Sequence, residues 1–251
     1  MMNFILRTNA TPIYSFLSLI DVRRSQEEIT LGKKILDCGA GGSYPPLALF
    51  HQHGFETYGI DVSDEQLERA REFCELAQIS INLRKGDMRA LPFEDHSFDY
   101  VYEHYSMCHL SKVDTAQAIS EMHRVLKDDG LGFLGVISMD TWPKSIFGKE
   151  RDVPGEYWSG DPEEDDYFHT MFADNEADQL VASWRVLSKE KRCVYLPDPA
   201  LKMSLTAWME IDDQVRNQYS RDAWQQQYEQ RANMFQYVHL YYFLQNTNQE
   251  N

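Results

Sequence analysis

The clearest chemical signal in this chain is a run of glycines directly after a short apolar segment. Residues 34–38 read KILDC, and Gly39, Ala40, Gly41 and Gly42 follow. Glycines allow positive φ and a close approach of the backbone to a ligand, and the free N–H groups of a helix behind such a turn attract a carboxylate or phosphate. The turn therefore predicts a ligand-binding loop, although many tight turns without a ligand share this composition.

Two acidic residues end the next two apolar segments. Asp61 closes residues 57–61, and Asp87 closes residues 81–87. A carboxylate in the first of these places can accept hydrogen bonds from ribose hydroxyls, as in folds that bind dinucleotides. Asp61 could equally begin a helix or end a solvated strand, so the residue alone leaves the ligand open.

Ionisable side chains follow a fourth apolar segment, residues 98–102, which reads FDYVY. The next stretch holds Glu103, His104, Tyr105 and His109 within seven positions. Because the pKa of a histidine lies near neutrality, His104 and His109 are candidate general bases. The alternative is that this stretch only packs against the helix that follows it.

Alternating strands and helices are predicted to position these residues. Five short apolar segments, separated by amphipathic stretches, are predicted strands: residues 34–38, 57–61, 81–87, 98–102 and 131–137. This alternation is typical of an α/β fold with a parallel sheet covered on both faces. Ser63 and Gln66 form a capping box for one helix. A second helix is predicted over residues 113–127, with Gly130 as its stop.

The remainder of the chain has weaker patterns. Residues 140–178 show no strong period and are predicted to be rich in loops, whereas residues 176–184 are predicted to be helical. Residues 185–196 read as a strand, and residues 235–245 alternate as a half-buried antiparallel strand does. The insertion between these two strands carries a predicted helix over residues 213–231.

Composition narrows the class of protein. The 24 Lys and Arg face 40 Asp and Glu, for a net charge of −16, which argues against a nucleic-acid substrate. The four cysteines form no C-x-x-C pair, so neither a metal site nor a disulfide framework is predicted. No segment has the roughly 20 apolar residues of a membrane span or the layout of a secretion signal. We therefore expect a cytoplasmic protein that has no membrane association.

The order of the motifs resembles the class I S-adenosylmethionine-dependent methyltransferases, in particular the branch that acts on small molecules. The resemblance covers about residues 35–139 and the final antiparallel hairpin. It implies an α/β, Rossmann-like, seven-stranded and mostly parallel sheet with an antiparallel last strand, helices on both faces, and a cap. It disfavours a nicotinamide-dependent oxidoreductase, which has no need of an acid-containing loop followed by LPF and FDYV.

The resemblance also implies roles for individual residues. The stretch from Asp37 to Gly41 would lie along the methionine part of S-adenosylmethionine, and Asp61 would hold the ribose diol. Asp87 would accept from the adenine amino group, and Glu103 would lie near the sulfonium. The full implied set of cofactor contacts is Asp37, Gly39, Ala40, Gly41, Asp61, Val62, Asp87, Met88 and Glu103.

The implied reaction transfers a methyl group to a small-molecule acceptor. His104 and His109 are the catalytic candidates, and acceptors that are already ionised need no base. Tyr14, Tyr105 and His169 are candidate acceptor contacts, although Tyr14 could instead belong to a packing helix and His169 to the surface. Ser43 stands where the family has its third glycine. This departure leaves open a catalytically silent module that binds a ligand or partner.

The sequence is interpreted as one methyltransferase domain over residues 1–251 with four parts. These are an N-terminal helical segment at 1–33, a cofactor-binding core at 34–139, a cap at 140–180, and a C-terminal hairpin at 181–251 with a helical insertion at 197–233. The oligomeric state and the methylated atom do not follow from the sequence.

Overall fold

A computed structural model describes residues 11–26, 31–159, 167–197 and 234–247. Seven of its strands lie side by side in one sheet. They are β1 (Lys34–Cys38), β2 (Glu56–Asp61), β3 (Asn82–Lys85), β4 (Phe98–Tyr102), β5 (Leu126–Ser138), β9 (Arg185–Pro197) and β10 (Met234–Gln245).

The order of these strands across the sheet is β3-β2-β1-β4-β5-β10-β9. The first five strands run parallel to one another, and β10 is antiparallel to both of its neighbours. This arrangement confirms the predicted fold, including its antiparallel last strand. Because β1 to β4 are parallel, the residues that follow their carboxyl ends meet along one edge of the sheet.

Within the described residues, five α-helices cover the sheet: α1 (Thr11–Ser25), α2 (Leu47–Gln52), α3 (Asp64–Ala77), α4 (Lys112–Val125) and α5 (Asp174–Leu180). Half of the predicted capping box of α3 is confirmed, since the Ser63 side chain accepts from the N–H of Gln66 over 3.2 Å. The Ser63 N–H donates to the Asp61 carboxylate and not to the Gln66 side chain. The predicted end of α4 at residue 127 was wrong. The helix ends at Val125 because the buried Leu126 enters β5 and pairs with Phe98, and Gly130 lies within that strand.

The two largest clusters of the core lie on opposite faces of the sheet. One cluster joins β1, β4, β5 and β10 to α4 and α5 through residues such as Val101, Met122 and Trp184. The other joins the opposite face to α1 and α2, where Phe16 stacks on Phe133 with ring centroids 5.6 Å apart. The described residues contain no helix with both the length and the apolar character that a bilayer crossing requires. All four cysteines are free thiols.

The region interpreted as rich in loops contains three short strands, β6 (Lys149–Glu150), β7 (Glu156–Ser159) and β8 (Tyr167–Phe172). They form an antiparallel meander, and β8 also runs parallel to the end of β5, where Ile137 pairs with Met171. The sequence did not predict these strands, because strands of two to six residues are too short to show a period.

The last strand, β10, is also more buried than the alternation of apolar and polar residues in its sequence predicts. Residues 238–244 are buried on both faces of β10, because α1 covers one face and α5 the other. The expectation of a half-buried strand was therefore wrong. The predicted helix at 213–231 lies outside the described residues.

Candidate functional site

The glycine turn after β1 packs tightly against two neighbouring segments. The N–H groups of Gly39 and Ala40 donate to the carbonyl of Ile60 over 2.9 and 2.8 Å. Gly39 has a φ of +117°, and a Cβ there would lie 2.0 Å from the Oγ of Ser106. Glycine is therefore required at this position. The Ser106 hydroxyl donates to the Gly39 carbonyl over 3.2 Å, a contact that no local sequence pattern signals.

Asp61, at the end of β2, is half-buried beside this turn. It accepts from the N–H of Gly41 over 3.0 Å and from the N–H of Ser63 over 2.9 Å. A Cβ on Gly41 would lie 2.5 Å from the Asp61 Oδ2, so glycine is what allows this approach. Each carboxylate oxygen keeps capacity for a further hydrogen bond. The neighbouring Val62 has 60% of its surface exposed and offers an open apolar face.

Asp87, beyond β3, is held by Arg89, a partner that the sequence analysis missed. The Arg89 Nε lies 3.0 Å from both carboxylate oxygens, and its Nη2 lies 2.6 Å from Oδ2. Hydrogen bonds from Arg89 lower the pKa of Asp87, although partial burial opposes this. The spacing of Arg89, two residues after the acid, was visible in the sequence. Met88, between the two residues, is half-buried and packs against the core.

Glu103, directly after β4, is completely buried. Its Oε1 accepts from the N–H groups of Ser106 and Met107 over 2.6 and 2.7 Å. In the part of the chain that the structure describes, Oε2 has no hydrogen-bond partner. Burial raises the pKa of Glu103 to about 7, although backbone N–H groups, including that of Gly135, favour the ionised form.

Asp37 lies inside the sheet beneath the turn and is 1% exposed. Its Oδ2 accepts from the hydroxyl of Tyr102 over 2.7 Å. Burial raises the pKa of Asp37 well above its usual range, despite this hydrogen bond. Asp37 therefore supports the turn from below and already has a partner on Tyr102.

Aromatic and imidazole rings gather beyond Glu103. Tyr105 has a φ of +69°, and its hydroxyl lies 3.1 Å from that of Tyr241 on β10. The His104 and His239 rings lie 4.2 and 4.7 Å from the Tyr105 ring, measured between centroids. Sequence reasoning missed Tyr241 and His239, because the register of β10 brings them here from far along the chain.

The remaining candidate residues lie in two separate parts of the molecule: His109 and His169 are together, and Tyr14 is on α1. The rings of His109 and His169 lie 4.9 Å apart, and the His109 Nδ1 is 2.9 Å from the Phe168 carbonyl. Burial lowers the pKa of His169 to about 4, and His109 adds to this effect. Tyr14 is half-buried on α1, where it lines a shallow surface depression formed by residues of that helix.

Comparison with known proteins identifies the core of this arrangement. Residues 36–134 match the family described as a methyltransferase domain. The chain contains a methyltransferase domain. S-adenosylmethionine is the cofactor of this class of domain.

Two relatives of this methyltransferase domain have names that give a small molecule as the substrate. A stretch of 104 residues is 34% identical to the sterol 24-C-methyltransferase of Pneumocystis carinii, and covers 40% of this chain and 26% of that protein. A stretch of 118 residues is 36% identical to the demethylmenaquinone methyltransferase of Staphylococcus haemolyticus, and covers 46% and 48% of the two chains. The matches thus span less than half the length of either relative.

A solved structure extends the likeness in fold beyond the methyltransferase domain. The structure of a member of the SAM-dependent methyltransferases from Methanosarcina mazei superimposes with a TM-score of 0.61 over 89% of this chain and 97% of its own. The sequences are 16% identical, so the likeness is one of fold.

The residues along the sheet edge fit S-adenosylmethionine. Gly41 and Asp61 form a close cradle that a Cβ would fill, and Val62 presents an exposed apolar surface suited to a purine. Glu103 has a buried oxygen without a partner among the described residues, near the turn that Ser106 touches. These groups match a ligand with hydroxyls, a flat base and a positive charge.

Proposed function

We propose that this chain transfers the methyl group of S-adenosylmethionine to a small-molecule acceptor. One observation carries the proposal: the glycine turn, Asp61, Asp87 and Glu103 follow the carboxyl ends of β1, β2, β3 and β4, along one edge of a methyltransferase domain. In open parallel sheets, this edge is where ligands bind.

Each residue has a proposed role toward the cofactor. Asp61 would accept from the ribose hydroxyls, with its carboxylate oriented by the N–H groups of Gly41 and Ser63. Asp87 would accept from the adenine amino group, with Arg89 keeping the carboxylate ionised. Glu103 would lie toward the positive sulfur.

The cofactor supplies a methyl group on a positively charged sulfur, which is electrophilic without further activation. The chain then has to align the acceptor and exclude water. His104 and Tyr105 follow Glu103 directly and are the proposed groups nearest the reaction. The His109 Nδ1 contacts the Phe168 carbonyl, which favours the tautomer with Nε2 as the proton acceptor. Tyr14 and His169 stay proposed acceptor contacts.

A small-molecule acceptor is supported by the relatives whose names give a sterol and demethylmenaquinone as substrates. The net charge of −16 supports the same proposal, because it opposes nucleic-acid binding. We further propose a cytoplasmic location, which the free cysteines support.

Calorimetric titration with S-adenosylmethionine and S-adenosylhomocysteine, with NAD as the control ligand, tests the cofactor. Both sulfur ligands are expected to bind and NAD is not. Asp61→Ala is expected to weaken binding by about tenfold or more, because it removes charge-assisted hydrogen bonds. Asp64→Ala, which removes an exposed carboxylate three residues away, is the matched control.

Turnover is tested by the release of S-adenosylhomocysteine in the presence of a broad panel of small acceptors. Release that depends on an acceptor supports the proposal. Tight cofactor binding without release for any acceptor contradicts it and supports the silent module. Near-native cofactor affinity in a folded Asp61→Ala protein contradicts the assigned role of Asp61.

A further inference from the structure

One arginine on the outer strand of the sheet, Arg192, has no anionic partner among the residues that the structure describes. Arg192 on β9 is half-buried, and within the described residues it makes no hydrogen bond and no ion pair. Arg69, Arg89 and Arg124, in contrast, are each bonded to a carboxylate. In a chain with a net charge of −16, a half-buried guanidinium that pairs with no described carboxylate is a candidate anion-binding group.

The strand register places Arg192 beside the ring cluster that follows Glu103. Arg192 pairs directly with His239 in the antiparallel ladder of β9 and β10, so their side chains share one face of the sheet. On that face the His239 and Tyr241 rings stack 5.4 Å apart, and the Tyr241 hydroxyl reaches that of Tyr105 over 3.1 Å.

The electrostatics of this face are consistent with that placement. Burial lowers the pKa of His239 to about 3, and His104 and Arg192 add to the lowering. Burial raises the pKa of Tyr105 and of Tyr241, and the charge of Arg192 opposes both rises. The imidazole and both phenols are therefore neutral at pH 7. Arg192 supplies the positive charge.

A second observation points to a ligand on the same face. His239 is 3% exposed, and its Nε2 has no hydrogen-bond partner in the described part of the chain. Leaving a buried polar atom unpaired costs free energy, which a polar ligand would recover.

We infer that Arg192, with the Tyr105 and Tyr241 hydroxyls and His239, binds a carboxylate group carried by the methyl acceptor. The inference rests on the proposed function, since it assigns the class of acceptor. A guanidinium recognises a carboxylate through two parallel N–H···O bonds. Of the two paired phenols, the one that accepts from the other keeps its own hydroxyl hydrogen, which can be donated to the ligand without adding charge.

The surroundings favour a carboxylate over a phosphate. Glu190, paired with Tyr241, lies on the same face as Arg192. The neighbouring Lys189 and Lys191 pair with Tyr242 and Leu240 on the opposite face, where they bind Asp178 and Asp174. The single positive charge of Arg192 matches a monoanion, whereas the Glu190 carboxylate on the same face opposes a dianion.

Two isosteric probes test this site without knowledge of the natural acceptor. Phenylacetate and phenylacetamide are titrated into the full-length protein saturated with S-adenosylhomocysteine, and binding is followed by NMR. Phenylacetate is expected to bind about tenfold more tightly, because a charge-assisted bond is roughly twice as strong as a neutral one. Arg192→Gln is expected to abolish this preference, and Arg192→Lys to retain part of it.

Arg185→Gln is the matched control, since it removes the same charge from the far end of β9, where Arg185 pairs with Gln245. The preference is expected to survive in that variant. Equal binding of the two probes overturns the site, as does a preference that survives in Arg192→Gln, or no binding of either probe up to about 10 mM. Titration of S-adenosylhomocysteine alone separates the two proposals. Failure of the protein to bind that ligand contradicts the cofactor assignment, whereas binding of that ligand without a preference for phenylacetate contradicts the Arg192 site only.

Discussion

Glu103 combines complete burial with a carboxyl group that titrates near neutrality. Burial disfavours the charged form, while two short hydrogen bonds from the N–H groups of Ser106 and Met107 favour it. Burial has the larger effect, so the pKa lies at about 7 instead of its ordinary value of 4.5. The folded protein therefore holds a proton that the unfolded chain releases at lower pH.

This difference predicts how stability depends on pH. A raised pKa in the folded state stabilises the protein below pH 4.5, and this contribution is lost as the pH rises through 7. From pH 4.5 to 8, the ionisation of Glu103 is expected to lower the free energy of unfolding by about 3 kcal/mol. Glu103→Gln, which cannot ionise, is expected to remove that part of the pH dependence.

Urea denaturation of wild type and Glu103→Gln at several pH values, without cofactor, measures the effect. Glu65→Gln, an exposed change on α3, is the control and is expected to leave the pH profile as it is. Parallel profiles for wild type and Glu103→Gln would show that the buried carboxyl does not titrate in this range.

At the scale of elements, a glycine on β5 leaves room for the ring of Tyr241 on the neighbouring strand β10. Gly135 pairs with Tyr241, and a Cβ on Gly135 would lie 2.8 Å from two ring carbons of the tyrosine. That distance is too short for a relaxed contact, and the ring is fixed by its hydroxyl contact with Tyr105.

Gly135→Ala is therefore expected to destabilise the protein by about 1 to 3 kcal/mol through overpacking. The change is also expected to displace the Tyr241 hydroxyl from Tyr105. Denaturant unfolding measures the first effect, and Gly135→Ala combined with Tyr241→Leu is the matched test. The double variant should lose less stability than the sum of the two single variants, since the clash is then absent. Strict additivity would contradict the proposed contact.

The sequence predicted best the elements that are long or that begin at a recognisable capping residue. Ser63 identified the start of α3 because a hydroxyl before a helix satisfies a free N–H group. The predicted end of α4 was wrong because Gly130 was interpreted as the helix stop. The helix ends earlier, at Val125, because Leu126 is buried against β4 as the first residue of β5. The short β6 and β7 left no period to detect.

At the scale of the whole molecule, the two halves of the candidate site differ in how far they could be predicted. The glycine turn, Asp61 and Asp87 follow consecutive strands, so local motifs and parallel topology suffice to bring them together. Arg192 and His239 meet Tyr105 only through the register of β9 and β10. No local pattern encodes that register, so the residues proposed to bind the acceptor could be found only from the structure.

The net charge of the molecule predicts a difference between substrate and product. S-adenosylmethionine carries one net positive charge, whereas S-adenosylhomocysteine is neutral overall, and the chain carries a net charge of −16. The summed field of such a protein attracts the cation and is screened by salt. Raising NaCl from about 10 to 300 mM is expected to weaken binding of S-adenosylmethionine by about threefold or more and to leave S-adenosylhomocysteine nearly unchanged.

Calorimetric titrations of both ligands at the two salt concentrations measure this ratio. Because the two ligands share every group except the methyl, any general effect of salt on the fold cancels in the comparison. Glu65→Gln, an exposed change on α3, should alter the ratio only slightly, since it removes one of many charges. An affinity ratio that does not change with salt would show that local contacts, and not the field of the whole chain, distinguish the charged substrate from the neutral product.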